Sequence, residues 1–187
     1  SRSSDINKLN KTIKYLLNKN FYVVRFISHI SENLNFNSDF YKEIKIDTDN
    51  EKLIQYVILS RSCLVICHQG GIHSYNQIID VPFLQINSSP ININPLIKDK
   101  DRTIFKKFYS DKLNRFLTIR EIIDHNLHLH IDMRTLKSKQ INIIENDEDE
   151  ILDATKSILE NSNNDFYEKF KSKIPNQISF KNSNAKI

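Results

Sequence analysis

The amino-acid sequence predicts an α/β fold, a Rossmann-like open parallel sheet with helices on both faces. Short β-branched and aromatic segments, such as Phe21–Phe26, alternate with segments whose apolar residues repeat at helical spacing. The chain has only two glycines, Gly70 and Gly71, and they stand together between a predicted strand and a predicted helix. A length of 187 residues suits one domain with a substantial core.

The first half of the chain carries most of this alternation. A helix capped by Ser4 or Asp5 is expected first, because the apolar residues that follow fall three and four positions apart. Residues 28–42 are polar and are expected to be irregular. The other elements predicted in this half are the strands Phe21–Phe26, Glu43–Ile46, Cys63–Cys67 and Phe83–Asn87, a helix from Asp47 or Asp49 to about Ser60, and a helix from the glycines to about Ile79.

The second half is less regular. Residues 88–101 are expected to form a long loop, and residues 102–130 are mixed. The elements predicted there are a helix over Ile119–Asn126 with Thr118 as its cap, a strand over Ile141–Ile144, a helix from Asp147 or Asp149 to about Leu159, and a helix over Phe166–Lys171. Residues 1–175 are therefore expected to form one Rossmann-like domain and 176–187 a loose tail. Because such a domain normally begins with a central strand, a further strand or domain is expected upstream of Ser1.

The run that follows the strand Cys63–Cys67 is the first candidate for a functional site. Glycine permits a positive φ and also lets another group approach the backbone closely. At the carboxyl end of a parallel strand, the free N–H groups of the next helix suit a diphosphate, and side chains in place of the glycines would obstruct it. The alternative is a plain turn between strand and helix. The candidate anion-binding residues are His68, Gln69, Gly70, Gly71, Ile72, His73 and Ser74.

Arg25, Asn87 and Ser88 are further candidates, because they stand at the carboxyl ends of two other predicted strands. Open α/β sheets bind their ligands at that edge, and a guanidinium group suits phosphate. The alternatives are a pairing of Arg25 with a neighbouring carboxylate and a turn at Asn87 and Ser88.

Three other patterns have simpler explanations than a catalytic or metal site. The three histidines at 125, 128 and 130 would suggest a metal, but the alternation in Leu127–Ile131 fits a strand with outward polar side chains, so no metal is predicted. The acidic run Asp147–Glu150 suits the N-terminus of a helix. A modest basic patch, expected to be solvated surface or a contact for phosphates or an anionic membrane, consists of Lys106, Lys107, Lys112 and Arg115.

Composition and charge argue against some classes of binding partner and location. The net charge of +4 is small, and the basic residues are spread along the chain without an aromatic ladder, so nucleic-acid binding is not expected. No apolar run approaches the roughly 20 residues of a membrane span, and no signal peptide opens the chain. Cys63 and Cys67 would lie too far apart on a strand for a disulfide, which favours a reducing, cytoplasmic compartment.

The run from Cys63 to Pro90 resembles the donor-binding C-terminal half of GT-B glycosyltransferases. More narrowly, the chain is similar to a family of bacterial surface-polysaccharide glycosyltransferases. The segments that carry this narrower resemblance are Arg2–Ile6, Phe21–Arg25, Val65–Asn87, Phe108–Ser110, Asn114–Thr118, Glu121–Ile122 and Glu148–Leu159. Gly70 stands where the family prefers Ser, His68 and Gln69 stand where small hydroxyl residues are usual, and Asp80 replaces a glycine. Gly70–His73 is also similar to the Gly-x-x-His turn of heptosyltransferases.

The resemblance implies transfer of a sugar from a nucleotide-sugar donor to a surface-glycan or lipid-linked acceptor, with this chain as the donor-binding half. It implies no metal or other cofactor, a catalytic base contributed by a missing N-terminal domain, and a cytoplasmic enzyme that can associate peripherally with the inner membrane face. Two alternatives stay open. One is a nucleotide-binding module without catalysis, and the other is a different GT-B-shaped enzyme, such as a nucleotide-sugar epimerase or a pyruvyl transferase.

Overall fold

The computed structural model describes residues 5–27, 34, 36–45, 50–89, 98–129 and 132–161. In these residues the chain forms a mixed α/β structure of short helices and small sheets. The strands are β1 (Val23–Ile27), β2 (Tyr41–Lys45), β3 (Val65–His68), β4 (Phe83–Ser88), β5 (Arg102–Phe105), β6 (Lys107–Ser110), β7 (Arg115–Phe116) and β8 (Ile141–Ile144). The α-helices are α1 (Asn10–Asn18), α2 (Glu51–Ser60), α3 (Ile119–Asp124), α4 (Met133–Ser138) and α5 (Glu148–Asn161), and two 3-10 helices cover Ile6–Leu9 and Gly71–Gln77.

Two of the sheets are parallel. β1 pairs with β2, while β3, β4 and β5 form a three-stranded sheet in that order. Parallel neighbours need a crossover between them, and the Gly71–Gln77 helix lies in the crossover from β3 to β4. The predicted α/β class with parallel strands is therefore confirmed, and the arrangement is compatible with a Rossmann-like fold. The sheets are small.

The central strand β4 is buried along its whole length and is covered on both faces, although three of its six residues, Gln85, Asn87 and Ser88, are polar. On one face, Phe83 packs in a core with residues of β3 and with Ile72 and Tyr75 of the second 3-10 helix. On the other face, Leu84 and Ile86 pack against α5. The two faces of the sheet therefore lie under different elements, and this difference positions the candidate site.

The third sheet was not expected from the sequence, because it is antiparallel. β6 is its central strand and pairs with β7 and β8. β6 and β7 are joined by the four-residue turn 111–114, in which Asn114 has a φ of 52°. A turn this short permits only antiparallel pairing. The predicted strand Ile141–Ile144 is confirmed as β8, but it joins this antiparallel sheet and not the parallel one.

Several predicted boundaries need correction. The strand expected over Glu43–Ile46 begins earlier, at the buried Tyr41, so the irregular segment expected over 28–42 is too long. The strand expected over Cys63–Cys67 is shifted to β3 and ends at His68. The helix expected after the glycines is a 3-10 helix. A strand over Leu127–Ile131 is wrong, because residues 125–128 form a turn in which Leu127 is buried.

The helix predicted over Ile119–Asn126 is confirmed as α3, although it ends at Asp124. Thr118 caps it, because its hydroxyl accepts the Glu121 N–H while the Glu121 carboxylate accepts the Thr118 N–H. No helix in the part of the chain that the structure describes is long and apolar enough to cross a membrane. Several predictions lie outside the described residues: the cap at Ser4, the caps at Asp47 and Asp49, most of the loop 88–101, the helix Phe166–Lys171 and the tail 176–187.

Candidate ligand-binding site

The carboxyl ends of β3, β4 and β5 meet at one edge of the parallel sheet. β3 ends at His68, β4 ends at Ser88, and β5 ends at Phe105, one residue before Lys106. Ser88 lies opposite Phe105, and the Lys106 N–H donates a hydrogen bond of 3.0 Å to the Ser88 carbonyl. Edges of this kind are where open α/β sheets bind ligands.

The glycine pair at this edge is not explained by backbone conformation. Gly70 has an extended backbone with φ 172° and ψ −162°, and neither glycine has a φ in the left-handed region. A Cβ atom added at Gly70 or Gly71 would meet no other atom within 4 Å. What the two glycines provide is therefore an uncovered stretch of main chain, which another group could approach closely.

The residues after the glycines lie under the face of the sheet that carries Phe83. Ile72 packs against that core, and the half-buried His73 ring meets the Phe83 ring edge-on at 6.4 Å. Burial lowers the pKa of His73, and the charge of Asp101 opposes this shift. Ser74 is exposed. The seven candidate residues of this run are therefore divided between the core, the edge and the surface.

His68 points to the opposite face, where α5 packs, because it lies opposite Ile86 in the parallel ladder. Ser88 does not share that face: the ladder shifts register after Gln85, and Ser88 pairs with Phe105, two residues beyond the partner of Gln85, so it lies on the side of Gln85. The Ser88 side chain is fully buried, and its Oγ finds no hydrogen-bond partner in the described structure. The buried Nδ1 of His68 also lacks one among the described residues. Unsatisfied buried polar atoms are uncommon in folded proteins.

Three charged side chains, those of Glu145, Lys106 and Lys8, lie near His68. Glu145, just after β8, receives hydrogen bonds from Lys106 Nζ at 3.2 Å and from Lys8 Nζ at 3.4 Å. Burial alone would raise the pKa of Glu145, but the two lysines outweigh it and hold that pKa below its usual range. Burial lowers the pKa of His68; Lys106 adds to this shift, while Glu145 and the Ile86 carbonyl oppose it. We refer to His68, Lys106, Glu145 and Lys8 as the Lys106 cluster.

Asn87 and Asn146 connect the ends of β4 and β5 to the segment before α5 through hydrogen bonds. Each backbone N–H donates to the other residue's side-chain oxygen at 2.7 Å, and Asn146 Nδ2 donates to the Phe105 carbonyl at 2.9 Å. Asn87 also has a positive φ of 54°, which asparagine tolerates better than most residues. The structure therefore gives Asn87 a structural task, since it holds the segment that carries Glu145 against the ends of β4 and β5.

Arg25 is placed on the separate parallel pair formed by β1 and β2. It lies directly opposite Glu43, and its Nη1 donates to Glu43 Oε1 at 2.6 Å. The same oxygen also accepts from the Tyr41 hydroxyl at 2.8 Å and from the Leu34 N–H at 2.9 Å. In this network Arg25 has the carboxylate partner that the sequence offered as its alternative explanation, and its role toward phosphate stays a prediction.

The amino edge of the same sheet carries a second buried polar network. Asp101 is 2% exposed and accepts hydrogen bonds from the Phe83 N–H at 3.0 Å, the Lys98 N–H at 2.9 Å and Asn76 Nδ2 at 2.9 Å. The Lys98 ammonium lies 3.8 Å from Asp101 and donates to the carbonyls of Val81 and Ile79. Asn76 Oδ1 is the atom of this network that lacks a partner among the described residues.

The structure separates the four members of the predicted basic patch. Lys106 belongs to the cluster above, Lys107 pairs with Glu150 at 2.8 Å, and Arg115 pairs with Glu121 at 2.6 Å. Lys112 is exposed in the turn between β6 and β7. The predicted role of the acidic run is confirmed, because the Asp147 side chain accepts the N–H groups of residues 149 and 150 at the start of α5.

Other possible sites in the described residues are poorer. No group of three or more His, Cys, Asp or Glu side chains there could hold a metal ion, and His130 lies outside the described residues. A groove of about 580 Å³ runs between the outer edge of β5 and α5. Its charged lining residues are Glu150 and Asp153, which do not suit a phosphate.

Sequence reasoning missed Glu145, Lys8 and Asn146. Each lies far along the chain from the glycine pair, and only the packing of α5 and the first 3-10 helix on the sheet brings them to this edge. Lys106 had one usable signal, its position immediately after a strand. Comparisons of the chain with protein family models, with curated proteins and with solved structures found no match. The glycosyltransferase resemblance therefore stays a prediction.

Proposed function

We propose that this chain binds the diphosphate of a nucleotide sugar at the carboxyl edge of β3 and β4, and that it is the donor-binding half of a glycosyltransferase. The observation that carries the proposal is the uncovered main chain at Gly70 and Gly71, where an added Cβ would meet nothing within 4 Å. Main-chain N–H groups without side-chain cover can donate to phosphate oxygens at close range. The site lies where open α/β sheets bind nucleotides.

The chemistry of the site suits a leaving diphosphate. Cleavage of the bond between sugar and phosphate leaves negative charge on the diphosphate, and fixed donors stabilise that charge most when they are already in place. In this proposal the main-chain N–H groups of Gly70, Gly71 and Ile72 supply fixed donors, since the His73 N–H already donates to the Gly70 carbonyl at 3.1 Å, and Lys106, whose charge acts on His68, adds positive potential. The acceptor is a surface glycan or a lipid-linked glycan, and the catalytic base belongs to another domain. The enzyme works in the cytoplasm, peripheral at the inner membrane face.

Nucleotide binding tests the proposal directly. UDP and GDP are titrated calorimetrically into the wild-type chain, into Gly71→Ala and into Gly71→Val. We expect at least one nucleotide to bind, Gly71→Ala to weaken it, and Gly71→Val to weaken it by about tenfold or more, because each added carbon occupies the space that the phosphate needs. The open surroundings of both glycines predict that the variants keep the wild-type free energy of unfolding.

A matched substitution gives the control. Ser60→Val places the same side chain on the exposed end of α2 and leaves nucleotide affinity unchanged in this proposal. Equal affinity in Gly71→Val and the wild type would remove the glycine pair from the site. Transfer or hydrolysis of a nucleotide sugar by the full enzyme then separates a glycosyltransferase from a nucleotide-binding module, which would bind without turnover.

A further inference from the structure

We propose that helix α2 is the docking surface for a second copy of this chain, in an antiparallel pair of α2 helices related by a two-fold axis. The helix carries an apolar stripe formed by Leu53, Ile54 and Val57, whose spacing places them on one helix face. All three side chains are exposed, Leu53 to 61%, whereas Leu59 on the opposite face is buried. The inference does not rest on the proposed function.

The stripe faces away from the core of its own chain. A surface helix normally turns its apolar residues toward the core and its polar residues toward water. In α2, Leu59 packs in the core with residues of β3 and β4, and the stripe adds a second apolar face on the outside. Contiguous exposed apolar residues of this kind mark interaction surfaces. A partner that covers the stripe would remove this apolar area from water.

The charges at the two ends of α2 favour a second copy as that partner. Glu51 begins the helix, and Arg61 is its C-cap, about 15 Å further along. Both are exposed, and the Arg61 guanidinium forms no ion pair within the residues that the structure describes. Both lie beside Ile54 on one flank of the stripe, and an antiparallel pair brings this flank of the two copies together. Glu51 of each copy then faces Arg61 of the other.

A second exposed apolar patch does not have such a free charge. It includes Ile119 and Ile123 of α3, which are both exposed. The arginine between them, Arg120, lies 3.8 Å from the Asp124 carboxylate of the same helix. Because that arginine already has a carboxylate inside the chain, the α3 patch lacks the self-complementary ends of α2 and provides the matched control.

The size of the surface sets the expected strength of the dimer. Stable interfaces bury about 1,200 Å² or more in total, and a pair of ten-residue helices provides less than this. We therefore expect a reversible dimer with a dissociation constant of about 10 to about 100 μM. Sedimentation equilibrium over a rising series of protein concentrations measures it.

The first variants test the apolar stripe. Val57→Glu should weaken dimerisation by about tenfold or more, because it places a charge against the apolar stripe of the other copy. Ile123→Glu makes the same kind of change on the exposed face of α3 and should dimerise like the wild type. Since both side chains are exposed, both variants should keep the wild-type free energy of unfolding, which urea unfolding checks.

The second variants test the antiparallel arrangement. Glu51→Arg and Arg61→Glu should each weaken dimerisation by about fivefold, because like charges then meet at both ends of the helix pair. An equimolar mixture of these two variants should associate as well as the wild type, since every contact between unlike copies then joins an arginine to a glutamate.

The outcomes either support or overturn the proposal, whatever the nucleotide result. Recovery of association in the mixture supports the antiparallel pair, even if Val57→Glu fails to fold. A chain that is monomeric at every concentration, equal dissociation constants for folded Val57→Glu and Ile123→Glu, or a mixture that associates no better than either charge variant alone would overturn it.

Discussion

The two edges of the three-stranded parallel sheet use buried polar groups in opposite ways. At the amino edge, Asp101 has three N–H donors and a nearby ammonium, so its negative charge is fully matched. At the carboxyl edge, two lysines share one carboxylate, and Ser88 Oγ and His68 Nδ1 lack partners in the described structure. The Asp101 carboxylate at the amino edge is therefore matched within the chain, although Asn76 Oδ1 lacks a partner there among the described residues, whereas at the carboxyl edge one carboxylate serves two lysines.

This contrast separates structural polar groups from candidate functional ones. A buried polar group that is satisfied contributes to a unique fold, whereas an unsatisfied one costs stability until something binds it. Burial and charge alone would not distinguish the edges, because both contain buried charged residues. The matching of charges does distinguish the two edges, and it favours the carboxyl edge as the place where an anionic ligand would bind.

The largest expected effect is on stability at the amino edge. Asp101→Asn removes the charge that faces Lys98 and leaves one buried N–H donor without an acceptor, so we expect the free energy of unfolding to fall by about 3 kcal/mol. Urea unfolding measures this change. Asp99→Asn, at an exposed neighbouring position, should be close to neutral. If the two variants are equally stable, the amino edge is not the structural network described above.

The contribution of His68, at the carboxyl edge, to the free energy of unfolding is expected to depend on pH. Because burial lowers the pKa of His68, the folded chain keeps this ring neutral at pH values where the unfolded chain binds a proton. The stability contributed by His68 is thus present above a pH of about 6.5 and is lost as the pH falls below it. His68→Gln should therefore lose less free energy of unfolding than the wild type between about pH 7 and about pH 5.

The control for that experiment is His125→Gln, because the His125 side chain is exposed. This variant should follow the wild-type curve. The half-buried His73, whose pKa is also lowered by burial, remains in both variants and supplies a common background. Parallel curves for His68→Gln and the wild type would show that His68 does not couple folding to protons.

The smallest expected effect is a gain in stability, in contrast to the loss expected for Asp101→Asn. Ser88→Ala removes a buried hydroxyl without a partner in the described structure, so we expect the free energy of unfolding to rise by up to about 1 kcal/mol. Ser110→Ala is a useful comparison, because the buried Ser110 hydroxyl accepts a hydrogen bond from the Leu113 N–H and its loss should destabilise the chain. A large loss of stability in Ser88→Ala would contradict an orphaned hydroxyl.

Local patterns in the sequence were sufficient to predict most strands of the parallel sheets. The strand predicted over Phe83–Asn87 is the central strand β4, and Thr118, predicted as the cap, begins α3. The antiparallel sheet was missed because β6 and β7 are short and the turn at Asn114 carries no glycine. The segment over Leu127–Ile131 alternates like a strand, but Leu127 packs in a core formed by α3, α4 and the antiparallel sheet.

The residues of the candidate site also fall into those that the sequence could predict and those that it could not. The glycine pair was visible because glycine is so rare in this chain, although its value is open space and not a positive φ. Glu145 could not be assigned from sequence, because its partners Lys8 and Lys106 lie 137 and 39 residues away along the chain. Local patterns do not report which distant charges meet, and this is decided by how α5 packs on the sheet.

The rarity of glycine also permits the most direct test of the central claim. With only two glycines in 187 residues, a spectrum of the chain labelled with ¹⁵N-glycine contains just the amide signals of Gly70 and Gly71. We expect a nucleoside diphosphate to shift both signals in a saturable way, and the matching nucleoside without phosphates to leave them in place. If both signals stay unmoved at concentrations where the nucleotide binds, the carboxyl edge of β3 is not the diphosphate site.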